Sequence, residues 1–146
     1  MPRPGSGTDT SKVPFVKAGS GRASTEKRLR EAVLRGFPFE ALEAVSNRTN
    51  GSPLGVANAL AMSHRALNRR KVEGRLTRGE SERLVRLARI LVLGRKALGS
   101  FSATWLWLGR PQADMRGGRA LDLIVSDVDW KQLEQGLIRL IFGGYS

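Results

Sequence analysis

The sequence predicts an all-α fold, a helix-turn-helix domain followed by a smaller helical domain, on three observations. Helix-start signatures recur: Ser52-Pro53, Ser63, and Thr77 with Glu80 each put an oxygen acceptor where the first amide donors of a helix need one. Apolar residues follow at helical spacing, most regularly at Leu84, Leu87, Ala88 and Leu91. Charge is divided unevenly along the chain. Of 25 Lys plus Arg and 13 Asp plus Glu, residues 1–22 hold four and one, residues 23–99 sixteen and seven, and residues 100–146 five and five, so balances of +3, +9 and 0 make up the net +12.

The first 22 residues, rich in Gly, Pro, Ser and Thr, read as a flexible basic tail, and residues 23–99 as the helix-turn-helix domain. In that domain Ser24 caps a helix running to about Arg35, with Leu29, Ala32 and Val33 inward and Gly36 ending it. Phe37, Pro38 and Phe39 open the next helix, whose buried side is Ala41, Leu42 and Val45. Gly51 closes the link to the following element.

Ser52-Pro53 starts a short helix to about Leu60 with Val56, Ala57 and Leu60 inward. Ala61, Met62 and Ser63 make the turn, and Ser63 caps a second helix from His64 to about Val72. At 100° per residue, Ala66 and Leu67 fall on one side of this second helix, and His64, Arg65, Asn68, Arg69 and Val72 on the other. Two short helices joined so tightly form a helix-turn-helix, which presents its second helix to the DNA major groove. His64, Arg65, Asn68 and Arg69 are the candidate DNA-binding residues. Two amphipathic helices with a basic face also serve as ordinary surface structure. The confinement of the basic excess to this part of the chain favours a polyanion partner, because each neutralised phosphate releases counterions.

Gly74 then breaks the chain, and the capping box of Thr77 and Glu80 starts a long helix to about Gly94, with Arg83, Arg86 and Arg89 off its apolar stripe. Arg70 falls on the inward side of its own helix and needs a carboxylate, for which Glu80 and Glu82 are the nearest candidates.

Residues 100–146 read as a separate helical domain. FSATWLWLGRP gathers two of the three tryptophans, a pair more often core than binding site. Gly117 and Gly118 bracket a turn, ALDLI makes a short helix, and Ser126 with Asp129 forms a second capping box. The last helix, Asp127 to about Phe142, buries Trp130, Leu133, Leu137, Leu140 and Ile141 and projects Arg139 outward.

The composition narrows the remaining classes. Without cysteine there is no disulfide, thiolate metal site or thiol nucleophile. One histidine, no glycine-rich phosphate loop, and acidic residues at a helix start that suit its dipole point to no catalytic residue, no metal and no cofactor. The reading is therefore a non-enzyme. The amino terminus lacks an apolar leader and the longest aliphatic run is Ile90 to Leu93, so no membrane partner and a cytoplasmic location are expected. RNA binding is a weaker class, for want of aromatics interleaved on a sheet.

From Phe37 to Ser146 the chain resembles the Xre-type antitoxins of RES/Xre toxin-antitoxin pairs, with an Xre/MbcA/ParS-like carboxyl-terminal domain. The similarity rests on Ala57, Leu60, Ser63, Arg65, Leu67, Arg69 and Arg70, then on Leu76, Thr77, Glu80, Ser81, Arg83, Leu84 and Arg86 to Arg89. Later it rests on Trp107, Leu108, Pro111, Gly117-Gly118, Leu121 to Leu123, Gly143 and Tyr145. The chain departs from the family at Ala61, where glycine is frequent, at Ala120, where proline is usual, and at Asp129, where a small residue is usual. The resemblance implies a cytoplasmic repressor and antitoxin. It would bind operator DNA and neutralise a RES-domain, NAD-degrading toxin by occluding its active site. Arg139, Gly143, Gly144, Tyr145 and Ser146 would form the toxin-binding end. Helix-turn-helix proteins bind paired half-sites as two-fold dimers, so a homodimer is expected. The alternative is an Xre-like repressor without a toxin.

Overall fold

The computed structural model describes residues 22–111 and 117–143. The amino-terminal tail up to residue 21, and Gly144, Tyr145 and Ser146 of the expected toxin-binding end, lie outside the described residues. Among those described, seven α-helices and one 3₁₀ helix are present and no strand forms.

Helix α1 (Arg22–Arg35) starts two residues before the expected cap at Ser24 and buries Ala32, with Leu29 and Val33 packed at the edge of the core. It stops at Gly36, whose φ is +84°. A Cβ there would lie 2.2 Å from the Leu76 carbonyl oxygen, so glycine is required both by the turn and by the approach of two backbones. The approach is held by hydrogen bonds. Leu76 N–H donates to the Phe37 carbonyl (2.8 Å), Phe39 N–H to that of Gly74 (2.9 Å), and Phe37 N–H to Ser81 Oγ (2.9 Å).

Helix α2 (Glu40–Thr49) buries Ala41, Leu42 and Val45 completely, as its spacing predicts. Helices α3 (Pro53–Ala59) and α4 (His64–Glu73) form the helix-turn-helix and lead into α5 (Arg78–Leu98). The Thr77 and Glu80 capping box is complete, with Glu80 N–H donating to Thr77 Oγ1 (3.1 Å) and Thr77 N–H to Glu80 Oε1 (2.8 Å).

Gly94 does not end α5, which runs four residues further and closes at Gly99 with φ +98°. Instead, Gly94 marks a helix crossing. A Cβ on it would meet Thr104 Cγ2 at 2.2 Å, so α6 (Phe101–Gly109) lies directly on α5 at this point. Gly94→Val is expected to lower stability by about 1–3 kcal/mol through overpacking, against a helix-propensity gain of a few tenths. Chemical denaturation checks this; an unchanged midpoint would mean that the two helices are not in such close contact.

Ser100 caps α6, its Oγ accepting from Ala103 N–H at 2.9 Å, and α6 rests on both α2 and α5. The ALDLI segment is a 3₁₀ helix, Ala120–Ile124, with Ala120, Leu121 and Ile124 buried. Beside it the Arg119 guanidinium holds the Asp122 carboxyl below its ordinary value. The resulting small stabilisation is present above the unfolded value near 3.8 and is lost as pH falls through the lower folded one.

Helix α7 (Asp129–Phe142) packs along α5 and begins two residues later than the expected Asp127. Ser126 Oγ still accepts from Asp129 N–H, at 3.2 Å. Its buried face is Leu133 and Leu137, with Trp130 and Ile141 partly covered, whereas Leu140, expected inside, is 56% exposed. Leu140 follows Leu133 by seven residues and lies only about 20° from it around the helix, so its exposure comes from its place in the last turn, which no described element covers, and not from its angle. One apolar cluster runs through all these helices, from Leu42 and Val45 across Leu84, Leu87 and Leu91 to Leu108, Ile124 and Leu133.

Candidate nucleic-acid interface

The helix-turn-helix is fixed at both helix starts and at its turn. Ser52 Oγ accepts from Gly55 N–H at 3.0 Å with Pro53 opening α3, and Ser63 Oγ accepts from Ala66 N–H at 3.0 Å to open α4. Val56, Ala57 and Leu60 are fully buried. Between the helices Ala61 takes φ +60°, the left-handed region that costs a residue with a Cβ about 1–2 kcal/mol. The turn holds because Met62 is buried beneath it and donates its N–H to the Ala57 carbonyl (2.9 Å). The Leu60 carbonyl also accepts from Arg83 Nε of α5 (2.8 Å).

Helix α4 sits on Leu67 and on one ion-pair cluster. Arg70 reaches inward, its side chain 14% exposed, and its Nε donates to Glu80 Oε1 at 2.9 Å while Nη1 meets Glu73 Oε1 at 3.1 Å. Of the two carboxylates the sequence offers, Glu80 is the partner; Glu82 pairs with Arg78. The hydrogen bond from Arg70 to Glu80 raises the guanidinium above its already high ordinary value, so it stays charged. A single carboxylate oxygen thus completes the capping box of α5 and sets the seat of α4. At the far end Gly74, at φ +80°, closes α4.

The arginines divide by what they touch. Arg70, Arg83 and Arg86 bind the protein itself: Arg86 donates to the carbonyls of Ile124 and Val125 and pairs with Asp127, ahead of α7, and Arg75 donates to the Gly36 carbonyl. Arg65 and Arg69 have no ion pair or hydrogen bond to other described residues, and with His64, Asn68 and Val72 they form the exposed face of α4. The four residues proposed from sequence therefore share one face. The scaffolding roles of Arg83 and Arg86 were not foreseen; the only signal was their place just beside the apolar stripe.

A guanidinium presents a planar fork of donors that matches the acceptor edge of guanine, and an amide matches adenine. A face with two guanidinia that no other described residue engages, one amide and one imidazole on a regular helix is suited to read base edges. Among the described residues no cluster of His, Asp or Glu is arranged to hold a metal ion, and no helix is long and apolar enough to cross a membrane.

Arg139 is exposed on α7 beside a shallow groove of about 650 Å³ with Asp127, Val128, Lys131, Gln132 and Gln135. Gly143 is the last described residue of the expected toxin-binding end, its N–H donating to the Arg139 carbonyl at 2.7 Å. Trp105 and Trp107 are partly buried against the core. A Cβ on Gly51 would lie 2.9 Å from Trp105 Nε1, so this indole covers the entry to α3 and is structural.

Residues 28–89 match the family model described as antitoxin Xre-like helix-turn-helix domain. The match takes in most of α1, all of the helix-turn-helix and the first half of α5, including Arg83 and Arg86, and stops before α6. A comparison of the chain with curated proteins finds no match.

Proposed function

We propose, from the Xre-like helix-turn-helix domain that this chain carries, that it is the antitoxin of a two-protein toxin-antitoxin pair and the repressor of its own operon. Residues 23–99 bind operator DNA as a homodimer, with His64, Arg65, Asn68 and Arg69 on base edges and backbone. Residues 100–146 hold a RES-domain toxin, and Arg139 with Gly143, Gly144, Tyr145 and Ser146 covers its NAD-degrading site. The observation that carries this reading is the exposed face of α4, on which Arg65 and Arg69 have no ion pair or hydrogen bond to another described residue. Support for the second half comes from charge and exposure. Residues 100–146 are electrically neutral, and Leu106, Val128, Leu140 and Phe142 are each more than half exposed there, as on a protein-facing surface.

The test pairs two readouts on one variant. Deleting Gly143 to Ser146 removes the only tyrosine, a hot-spot type of anchor. Inhibition of NAD loss by the RES-type protein of the neighbouring reading frame is expected to weaken at least about 30-fold, with operator binding unchanged. Full inhibition by the truncated chain would refute the plug, and a monomer by light scattering at micromolar concentration would refute the dimer.

A further inference from the structure

Val72 is the most exposed of the large apolar side chains named above, at 88%, and it lies on the face of α4 that the DNA-binding reading assigns to the major groove. It has no group that can hydrogen-bond a base, so that reading leaves it without a task. We infer that Val72 reads the C5 methyl group of a thymine, which makes it a specificity-determining contact for this operator. The inference rests on the DNA-binding reading and deepens it.

Position carries this more than exposure, because single exposed apolar residues are common. Arg65, Asn68, Arg69 and Val72 stand at i, i+3, i+4 and i+7. Seven residues fall only about 20° short of two turns, so Val72 points where Arg65 points. The two are separated by about 10.5 Å along the helix, close to three base-pair steps of about 3.4 Å. Helix α4 remains regular through Glu73, and the ties between residues 74–76 and residues 36–39 hold its end in place.

The chemistry also selects thymine. In the major groove only the T·A pair offers an apolar group, its methyl, and an aliphatic side chain is the usual complement. Valine is β-branched and stiff at χ1, so its two methyl groups are held out from the helix with little rotamer entropy left to lose. Arg69, Lys71 and Arg75 lie within three residues of it and are exposed, and the adjacent Glu73 is paired with Arg70, so the surround is net basic, which suits a polyanion and opposes an apolar protein patch.

The experiment uses the full chain and duplexes that it selects from a random pool. In the selected half-site each thymine is replaced in turn by deoxyuridine, which keeps every hydrogen-bonding group and lacks only the methyl. At one thymine per half-site, about three base pairs from a guanine lost in the Arg65→Ala footprint, the wild-type chain is expected to bind the uracil duplex about three- to fivefold more weakly, the value of one methyl removed from water. Val72→Ser is expected to bind both duplexes equally, and Val72→Thr, which keeps one methyl, to retain discrimination. Silence of every thymine-to-uracil change, or discrimination surviving in Val72→Ser, would overturn the inference while leaving DNA binding intact. A Val72→Ser chain that keeps discrimination but changes its oligomeric state would assign the residue to a protein contact instead. Failure to select any sequence would overturn both this inference and the reading beneath it.

Discussion

Replacing Arg65 and Arg69 together with alanine is expected to remove sequence-specific operator binding while leaving the fold untouched. Both side chains are exposed and have no described protein partner, so their loss strands no buried group and exposes no core. Each bidentate contact to a guanine edge contributes about 1–3 kcal/mol of discrimination, and the pair together roughly 2–6 kcal/mol if the two sites act independently. That is a loss of about 30-fold to more than 10⁴-fold in affinity at fixed salt. Residual binding should be weak, indifferent to sequence and steeply salt-dependent, as expected of the remaining basic surface. Footprinting and anisotropy titrations on one duplex check both halves, and an unchanged footprint would remove α4 from the interface.

The opposite outcome is expected for Glu80. Its carboxylate is 7% exposed and takes bonds from the Arg70 guanidinium and the Thr77 amide together. Glu80→Ala leaves a guanidinium, itself largely buried, without its main partner, and removes the bond to the Thr77 amide, while Thr77 Oγ1 still caps α5 by accepting from the residue-80 amide. Breaking one side of a buried pair costs roughly 3–5 kcal/mol, with the lower end expected because Glu73 still meets Arg70, and the unsatisfied Thr77 amide adds about 1 kcal/mol. Against a typical total of about 5–15 kcal/mol this is a large fraction of the stability, and the urea midpoint should fall markedly. Glu80→Gln keeps an acceptor for the Thr77 amide and should fall between the two. Urea midpoints rank the three proteins; an Ala variant as stable as the parent would show that the pair contributes nothing net.

These two outcomes differ because Arg65 and Arg69 lie on the exposed face of α4 and Arg70 on its inner one, a placement that helical spacing makes legible. Arg65, Asn68 and Arg69 are assigned by helical angle alone, and Arg70 inward by the same count. The caps at Ser52, Ser63 and Thr77 are equally local, since hydroxyl and amide lie within three residues of each other. What escaped is set by distant partners. Gly94 reads as a stop in one dimension, but Thr104 makes it a crossing. Arg83 and Arg86 differ from Arg89 only in having the Leu60 carbonyl and the 124–127 segment within reach. Leu140 is as apolar as Leu137, yet no described neighbour covers it, and no pattern within α7 alone reveals that.

The Gly99 and Ser100 junction has a consequence for how such a chain can be recombined. The last cap of α5 and the first cap of α6 are adjacent residues, with no spacer between them. Beyond the junction α6 and α7 turn back onto the same helix, so a cut there would separate Gly94 from Thr104 and Arg86 from its carbonyls. A donor segment 100–146 from another protein would need a side chain that fits over Gly94, carbonyls for Arg86 and leucines in register with Leu87 and Leu91. On the proposed function, operator preference can drift through the exposed face of α4. Exchange of the carboxyl-terminal third is constrained by the buried side of α5, and a chimera that keeps both proposed activities should need that helix to travel with it.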